Sequence, residues 1–274
     1  MVGSALVKAL VKKDCEVISL TRESFTFPME AFIEKKIAPA DAVVNLAGAP
    51  VIRRWTEGWK EEIRRSRILT TRMIADAIRQ SDPRPKVMIS ASAVGIYASA
   101  GSHREDSLSF GHGFLTEVCK EWEAEAETVK DITRLVILRL GVVLGDGGML
   151  GTVFPLFNIG LGGKIGNGNQ PFSFIHIDDL VSVIITILER PDMSGTYNAV
   201  APWPTTNGYF TEVMGKVLNQ YAFLTVPKFT LKLLFGEGAT VLTEGQQVYP
   251  GRLTEAGFVF RYPTIEKALV KIYK

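Results

Sequence analysis

The sequence predicts an α/β protein with a doubly wound parallel sheet and a second, smaller lobe, on three observations. The apolar run Asp41-Ala-Val-Val-Asn-Leu-Ala-Gly48 stops at Asn-x-Ala-Gly, the pattern of a buried parallel strand emptying into a tight loop. Strand-like and helix-like segments alternate up to about residue 200, and a βα rhythm builds parallel sheets. After about Trp203 the rhythm becomes mostly helical, so residues 1–200 are read as the main domain and 201–274 as a smaller, mostly helical lobe.

The elements follow in order. Residues 3–13 carry small and apolar residues at helical spacing, and Glu16-Val-Ile-Ser-Leu20 reads as a strand. The strand at 42–46 is followed by a long helix from about Thr56 to Gln80, which ends before Asp82-Pro83. Residues 86–90 are a strand, 116–129 a helix and 135–138 a strand. A glycine-rich connection over 145–168 leads to a strand at 172–177 and a helix at 178–189. Helical patches at 207–219, 228–235 and 264–273 complete the lobe.

Composition excludes several function classes. With 274 residues, 46% of them hydrophobic, the chain can bury a full core. A formal charge of +2, spread along the chain, argues for no nucleic-acid partner. Cys15 and Cys119 form no disulfide or metal framework, and His103, His112 and His176 stand far apart, so no metal is expected. The longest clean apolar run, Leu180 to Leu188, is too short to span a bilayer, which argues for no membrane partner. Unpaired cysteines suit a reduced compartment, read here as the cytoplasm. The basic amphipathic start also has features of a mitochondrial targeting peptide, but it lacks arginine and runs straight into a strand.

A joined set of motifs goes further. It comprises Asn45-Leu-Ala-Gly48, Arg54-Trp55, Ser66-Arg67-Ile-Leu-Thr-Thr-Arg72, Ser90-Ala-Ser-Ala-Val-Gly95, Cys119-Lys-Glu-Trp-Glu123, Arg139-Leu-Gly-Val-Val-Leu-Gly145, Gly160-Leu-Gly-Gly163 and Phe174-Ile-His-Ile-Asp-Asp-Leu180. This set resembles the atypical, epimerase-like branch of the short-chain dehydrogenase/reductase superfamily, whose members carry labels such as nucleoside-diphosphate-sugar epimerase or cell-division-inhibitor-like protein. The stretch around 223–268 resembles that branch's domain of unknown function. The resemblance implies a Rossmann-type sheet binding a dinucleotide, NADP, with a substrate lobe over it. Members begin with a strand and a Gly-Gly-x-Gly-Phe-x-Gly loop that brings backbone to the pyrophosphate. Here Met1-Val2-Gly3 stands at the tail of that motif, so the first strand is expected to be missing and the start to be shortened. Only the last glycine remains, as Gly3, expected to serve close helix–sheet packing beside the cofactor.

Candidate site residues follow from position and resemblance. Thr21-Arg22 follows the 16–20 strand where such proteins hold the ribose, and arginine there favours a 2′-phosphate. Leu46 and Ala47 pass beneath the cofactor. On the helix after Thr56, Ile63, Arg67, Thr70, Ile74 and Ile78 form one stripe, so Arg67 interrupts a sheet-facing surface and needs an anion or several acceptors. An ion pair with Glu62 is the alternative, and Glu62 is also placed beside the cofactor. By resemblance Arg67 matches an asparagine of catalytic members and faces the nicotinamide end, as does backbone near Val143. Ser92 takes the position of the serine that bonds the reacting oxygen and is the catalytic candidate. The expected Tyr-x-x-x-Lys is absent: anchoring on Cys119 puts Leu115 at the tyrosine position, anchoring on Lys120 puts Thr116 there. Tyr97 is a nearby phenol that reads better as packing, and Cys119 as a small buried hydrophobe. Phe172 replaces an arginine that grips a pyrophosphate in sugar-nucleotide epimerases, which argues against a nucleotide-sugar substrate. His176 and Asp178 read as a helix cap. These residues lead to an NADP-binding oxidoreductase acting on an unidentified small molecule, with a non-catalytic NADPH-binding sensor as the alternative and, if Met1 is the true start, a damaged product as a third reading.

Overall fold

The computed structural model describes residues 1–25 and 30–274. Helices α1 (Val2–Val11) and α2 (Glu30–Ile37) precede strand β1 (Ala42–Asn45), and helices α3 (Glu57–Arg65) and α4 (Ile68–Gln80) lead to β2 (Val87–Ala93). Next come β3 (Ser102–His103), α5 (Phe114–Glu127), β4 (Arg134–Leu140), β5 (Val142–Leu144) and α6 (Gly148–Asn158). After β6 (Gly163–Ile165), β7 (Pro171–Phe172) and β8 (Phe174–His176), helix α7 (Ile177–Glu189) precedes β9 (Gly195–Ala199). The remainder is β10 (Thr205–Thr206), α8 (Asn207–Leu218), β11 (Leu224–Val226), α9 (Lys228–Phe235), α10 (Thr240–Thr243), β12 (Gln247–Val248), α11 (Gly251–Glu255) and α12 (Ile265–Tyr273).

The main sheet runs β1-β2-β4-β9, every pairing parallel, with Val44 opposite Ile89 and Ser92 opposite Arg139. Alternation along the two central strands sends side chains to opposite faces. Val87, Ile89, Val136 and Leu138 pack with Leu6 of α1 and Leu180, Ile184 and Ile187 of α7. Met88, Leu135 and Ile137 pack on the other face with Ile74 and Ile78 of α4 and Ala126 of α5. Both faces are covered by helices, which explains the nearly unbroken apolar runs of β2 and β4 and gives the doubly wound layering of a Rossmann-type sheet.

Strand β1 ends the sheet, and the predicted strand at 16–20 joins no ladder. That expectation fails because a strand needs a neighbouring ladder: among the described residues β1 is paired on one edge alone, by β2, and nothing bridges its other edge to residues 16–20. Residues 16–20 form no regular element and lie partly in water, Ile18 40% exposed. The expected packing role of Gly3 fails with it, because Gly3 is exposed and a Cβ there would touch nothing within 4 Å.

The helix expected over 56–80 is two helices, broken at Ser66 and Arg67. Thr56 caps the first through its side chain. At the break, Ser66 Oγ donates to Ile63 O at 3.2 Å and accepts from Ala49 N at 2.9 Å, so the side chain competes with helical backbone and ties the break to the loop after β1. The inward stripe survives the break: Ile63, Thr70, Ile74 and Ile78 are all buried.

A second core joins Leu144, Leu150, Phe157 and Phe174 to Phe210, Met214, Ile265 and Leu269. It draws on both sides of residue 200. Pairings β10–β7, β11–β6 and β12–β3 likewise each join a segment before that point to one after it.

Candidate cofactor site

The site begins with Asn45 at the end of β1. Its Nδ2 donates to Thr71 Oγ1 at 2.8 Å and its Oδ1 accepts from Ala47 N at 3.1 Å, which folds the chain over at Leu46–Gly48. Thr71 Oγ1 also accepts from Trp122 Nε1 at 2.9 Å, so helices α4 and α5 both hold the loop through one hydroxyl. Beneath the turn lies Arg67. Its Nη2 donates to Ala49 O at 3.0 Å, its Nη1 to Ile63 O at 3.2 Å, and its guanidinium lies 5.3 Å from the centre of the Trp122 ring. A Cβ on Gly48 would come 2.9 Å from Arg67 Nη2, so a larger residue there would have to displace the guanidinium.

Above this loop is a pocket of about 250 Å³ that brings together Thr21, Arg22, Ala47 and Glu62 from the sequence reading, with Gly48, Ala49 and Leu69. Arg22 stands in the short helical turn Arg22–Phe25, its side chain 69% exposed, and meets Glu62 at 3.3 Å. Glu62 also lies 3.9 Å from Arg65, so its charge is engaged by those cations and the expected alternative of a Glu62–Arg67 pair is not formed. Burial lowers the Arg67 guanidinium from its ordinary value, with the nearby Cys119 opposing. Leu46 and Val143 both pack against the first core, with β5 beside β8. Gly3, Leu46, Arg67, Val143 and Ser92 lie outside the pocket lining.

Ser92 stands elsewhere in the chemistry. It is 1% exposed, and its Oγ donates to Glu123 Oε1 at 2.6 Å. Glu123 in turn holds Arg139 in a fork, accepting from Nε at 2.8 Å and from Nη2 at 2.7 Å. Arg139 Nη1 donates to the Tyr97 hydroxyl at 2.8 Å, and Tyr97 donates to Asn198 Oδ1 at 2.9 Å. Burial alone would depress the Arg139 guanidinium, but hydrogen bonds and charge from Glu123 outweigh it and raise its pKa. Burial raises the Tyr97 phenol, while Arg139 and Asn198 oppose it. The Cys119 thiol is pushed up to about 12 by burial and by Glu123, against Arg67 and Arg139. Thr116 is buried and donates to Gly95 O at 3.1 Å. Sequence reasoning missed Glu123 and its bond to Arg139. The available signal was Glu123 one turn beyond Cys119 on the inward face of α5, opposite an arginine set in an apolar strand.

Phe172 packs on Phe210, ring centres 4.8 Å apart, as part of the second core. His176 caps α7, its Nδ1 accepting from Asp178 N at 3.1 Å.

Comparison with known proteins supplies the family. Residues 1–200 match the model of the NAD dependent epimerase/dehydratase family. The chain belongs to that family. Residues 226–272 of this epimerase-family chain also match a domain of unknown function, DUF1731. Among its relatives, the epimerase family protein SDR39U1 homolog, chloroplastic, of Arabidopsis thaliana is 46% identical over 233 residues, 83% of this chain and 67% of that one. Human epimerase family protein SDR39U1 is 34% identical over 280 residues, 99% of this chain and 96% of the human one. The crystal structure of human SDR39U1 (isoform2) with NADPH superposes with a TM-score of 0.93 at 34% identity, covering 100% of this chain and 96% of that one. MoeE5 in complex with UDP-glucose and NAD, at 17% identity and a TM-score of 0.76, covers 99% of this chain and 94% of its own and shares the fold. Among the described residues, no helix is long and apolar enough to cross a membrane.

Proposed function

We propose that this epimerase-family protein binds NADPH and works as an NADP-dependent oxidoreductase on a small molecule in the cytoplasm, without nucleic-acid or membrane partners. The observation that carries the reading is the gathering of Thr21, Arg22, Ala47 and Glu62 in one pocket. Its volume of about 250 Å³ falls below the roughly 300–1,000 Å³ of a complete small-molecule site, so it fits one end of a dinucleotide, the phosphorylated ribose. Arg22 takes the 2′-phosphate, Thr21 and Glu62 flank the ribose, and Leu46 and Ala47 supply backbone beneath it. Gly3 leaves the amino end of α1 open towards the cofactor, while Arg67 and Val143 serve the nicotinamide end. The NADPH-bound human relative supports the same cofactor. A nucleotide sugar is disfavoured as substrate, since Phe172 carries no charge and is engaged in the second core.

Ser92 remains the group assigned to the reacting oxygen, and it must turn from Glu123 to serve, so turnover is expected to be slow. A second reading, an NADPH-responsive protein without turnover, draws on the same feature: Ser92, Thr116 and Tyr97 are all buried and hydrogen-bonded, and Cys119 holds its proton. Calorimetric titration tests the cofactor assignment. Arg22→Ala should weaken NADPH about tenfold or more and leave NADH nearly unchanged, since a charge-assisted phosphate contact contributes roughly 1.5–3 kcal/mol. An equal loss for both nucleotides would assign Arg22 to the loop instead. NADPH oxidation over a panel of aldehydes and ketones separates the two readings, slow turnover abolished by Ser92→Ala supporting the enzyme.

A further inference from the structure

Three charged side chains line the cofactor pocket: Arg22, Glu62 and Arg65. Glu62 and Arg65 stand one turn apart on α3, so the helix presents them together, while Arg22 arrives from the turn at 22–25. Each oxygen of the Glu62 carboxylate faces one arginine: Oε1 lies 3.3 Å from Arg22 Nη2, and Oε2 lies 3.9 Å from Arg65 Nε. Both contacts are longer than the roughly 2.7–2.9 Å of a charge-assisted hydrogen bond, whereas Glu123 grips Arg139 at 2.8 and 2.7 Å. The two arginine side chains also stand out in water, 69% and 57% exposed, with Glu62 at 25% set deeper between them. Ion pairs so exposed contribute little to stability, so exchanging their anion for another costs little.

An oxyanion loosely held between two guanidinium groups occupies the place a phosphate would take, since the arginine fork suits both. We propose that Glu62 is a resident carboxylate which the 2′-phosphate of the cofactor displaces, and that Arg65 joins Arg22 as the second phosphate ligand. This rests on the cofactor reading above and adds to it the residue that sets selectivity. A phosphate brings close to two negative charges and three acceptor oxygens, so it can engage both arginines more fully than one carboxylate does. A dinucleotide without that phosphate has nothing to exchange and leaves the three side chains as they are. Glu62 therefore opposes the phosphorylated cofactor alone: it gathers the arginines in the free protein, and its own charge subtracts from what the phosphate gains.

Calorimetric titration of the whole chain with NADPH and NADH reads the exchange. Glu62→Gln, which keeps the size of the side chain and an acceptor oxygen, should bind NADPH about three- to tenfold tighter than the parent, the effect of removing one negative charge beside a phosphate in an exposed site. NADH should stay within about twofold, since it brings no charge to the exchange. Arg65→Ala should weaken NADPH about fivefold and leave NADH unchanged, because only the phosphate engages it. Unchanged or weaker NADPH binding by Glu62→Gln would overturn the proposal, and so would an equal gain for both nucleotides, since Glu62 would then act on the cofactor as a whole. Arg65→Ala with unaltered NADPH affinity would overturn it as well. In each of those cases the cofactor reading stands, provided that the parent prefers NADPH and Arg22→Ala removes the preference. Should Glu62→Gln fail to fold, Arg65→Ala decides. A parent that binds neither nucleotide would remove the cofactor reading and this inference together.

Discussion

Removing Glu123 should destabilise the protein far more than removing Ser92, the hydroxyl it accepts from. In Glu123→Ala the Arg139 guanidinium, whose side chain is 8% exposed, loses both bonds of its fork and keeps Tyr97 as its side-chain partner. Breaking one member out of a buried ion pair costs about 3–5 kcal/mol, because the survivor remains desolvated. The stranded Ser92 hydroxyl adds about 1 kcal/mol. Against a total stability of roughly 5–15 kcal/mol, such a variant lies near unfolding at room temperature. Ser92→Ala removes only a donor from a carboxylate that keeps Arg139, so its cost should be near 1 kcal/mol. Replacing the group with apolar residues in Ser92→Ala/Glu123→Leu/Arg139→Met should return stability to within about 1 kcal/mol of the parent, since a buried pair contributes little net energy relative to a packed apolar substitute. Urea unfolding followed by tryptophan fluorescence gives the midpoints, and Trp122 on the same helix reports locally. The reasoning is refuted if Glu123→Ala costs less than about 1 kcal/mol, or if the triple variant is no more stable than the single one.

Two further outcomes follow from other buried groups. Thr71→Val leaves the donors of Asn45 and Trp122 without their shared acceptor and should cost about 2–5 kcal/mol in the same urea assay, with no loss expected if water replaces the hydroxyl. His176 has its pKa lowered from 6.5 by burial and by Lys271, against Asp178 and Asp179, and its ring lies against Tyr262. A histidine depressed in the folded state takes up its proton first in the unfolded chain, so stability should fall as pH drops below about 6.5 and level off beneath the folded value. His176→Asn, which keeps a cap acceptor for α7, should flatten that acid limb in thermal melts at successive pH values, and an unchanged limb would assign it to other groups.

Much of the fold was legible because local pattern and tertiary role agree. Strands β2 and β4 are buried on both faces and read as apolar runs, and the stripe from Ile63 to Ile78 faces the sheet despite the break within it. The turn at 46–48 was legible from small residues alone, and Arg67 from its place on an apolar stripe. Three features were not. Residues 16–20 have strand propensity, but a ladder needs a neighbour, and propensity carries no information about partners. The break at Ser66 depends on a bond to Ala49, which no helical period records. The Glu123–Arg139 fork joins a helix to a strand, and the inward place of Glu123 on its helix does not by itself say which strand residue it meets.

The three short pairings across residue 200 bear on how the chain is born. A ribosome delivers β3, β6 and β7 long before β12, β11 and β10, so each early segment waits with an unmatched edge until its partner emerges. Closure of the second core is delayed further, because Ile265 and Leu269 lie in α12, which emerges after all of these strands. The four-stranded sheet can assemble before the lobe does, and the interval between the two events is when chaperone capture and proteolysis compete with folding.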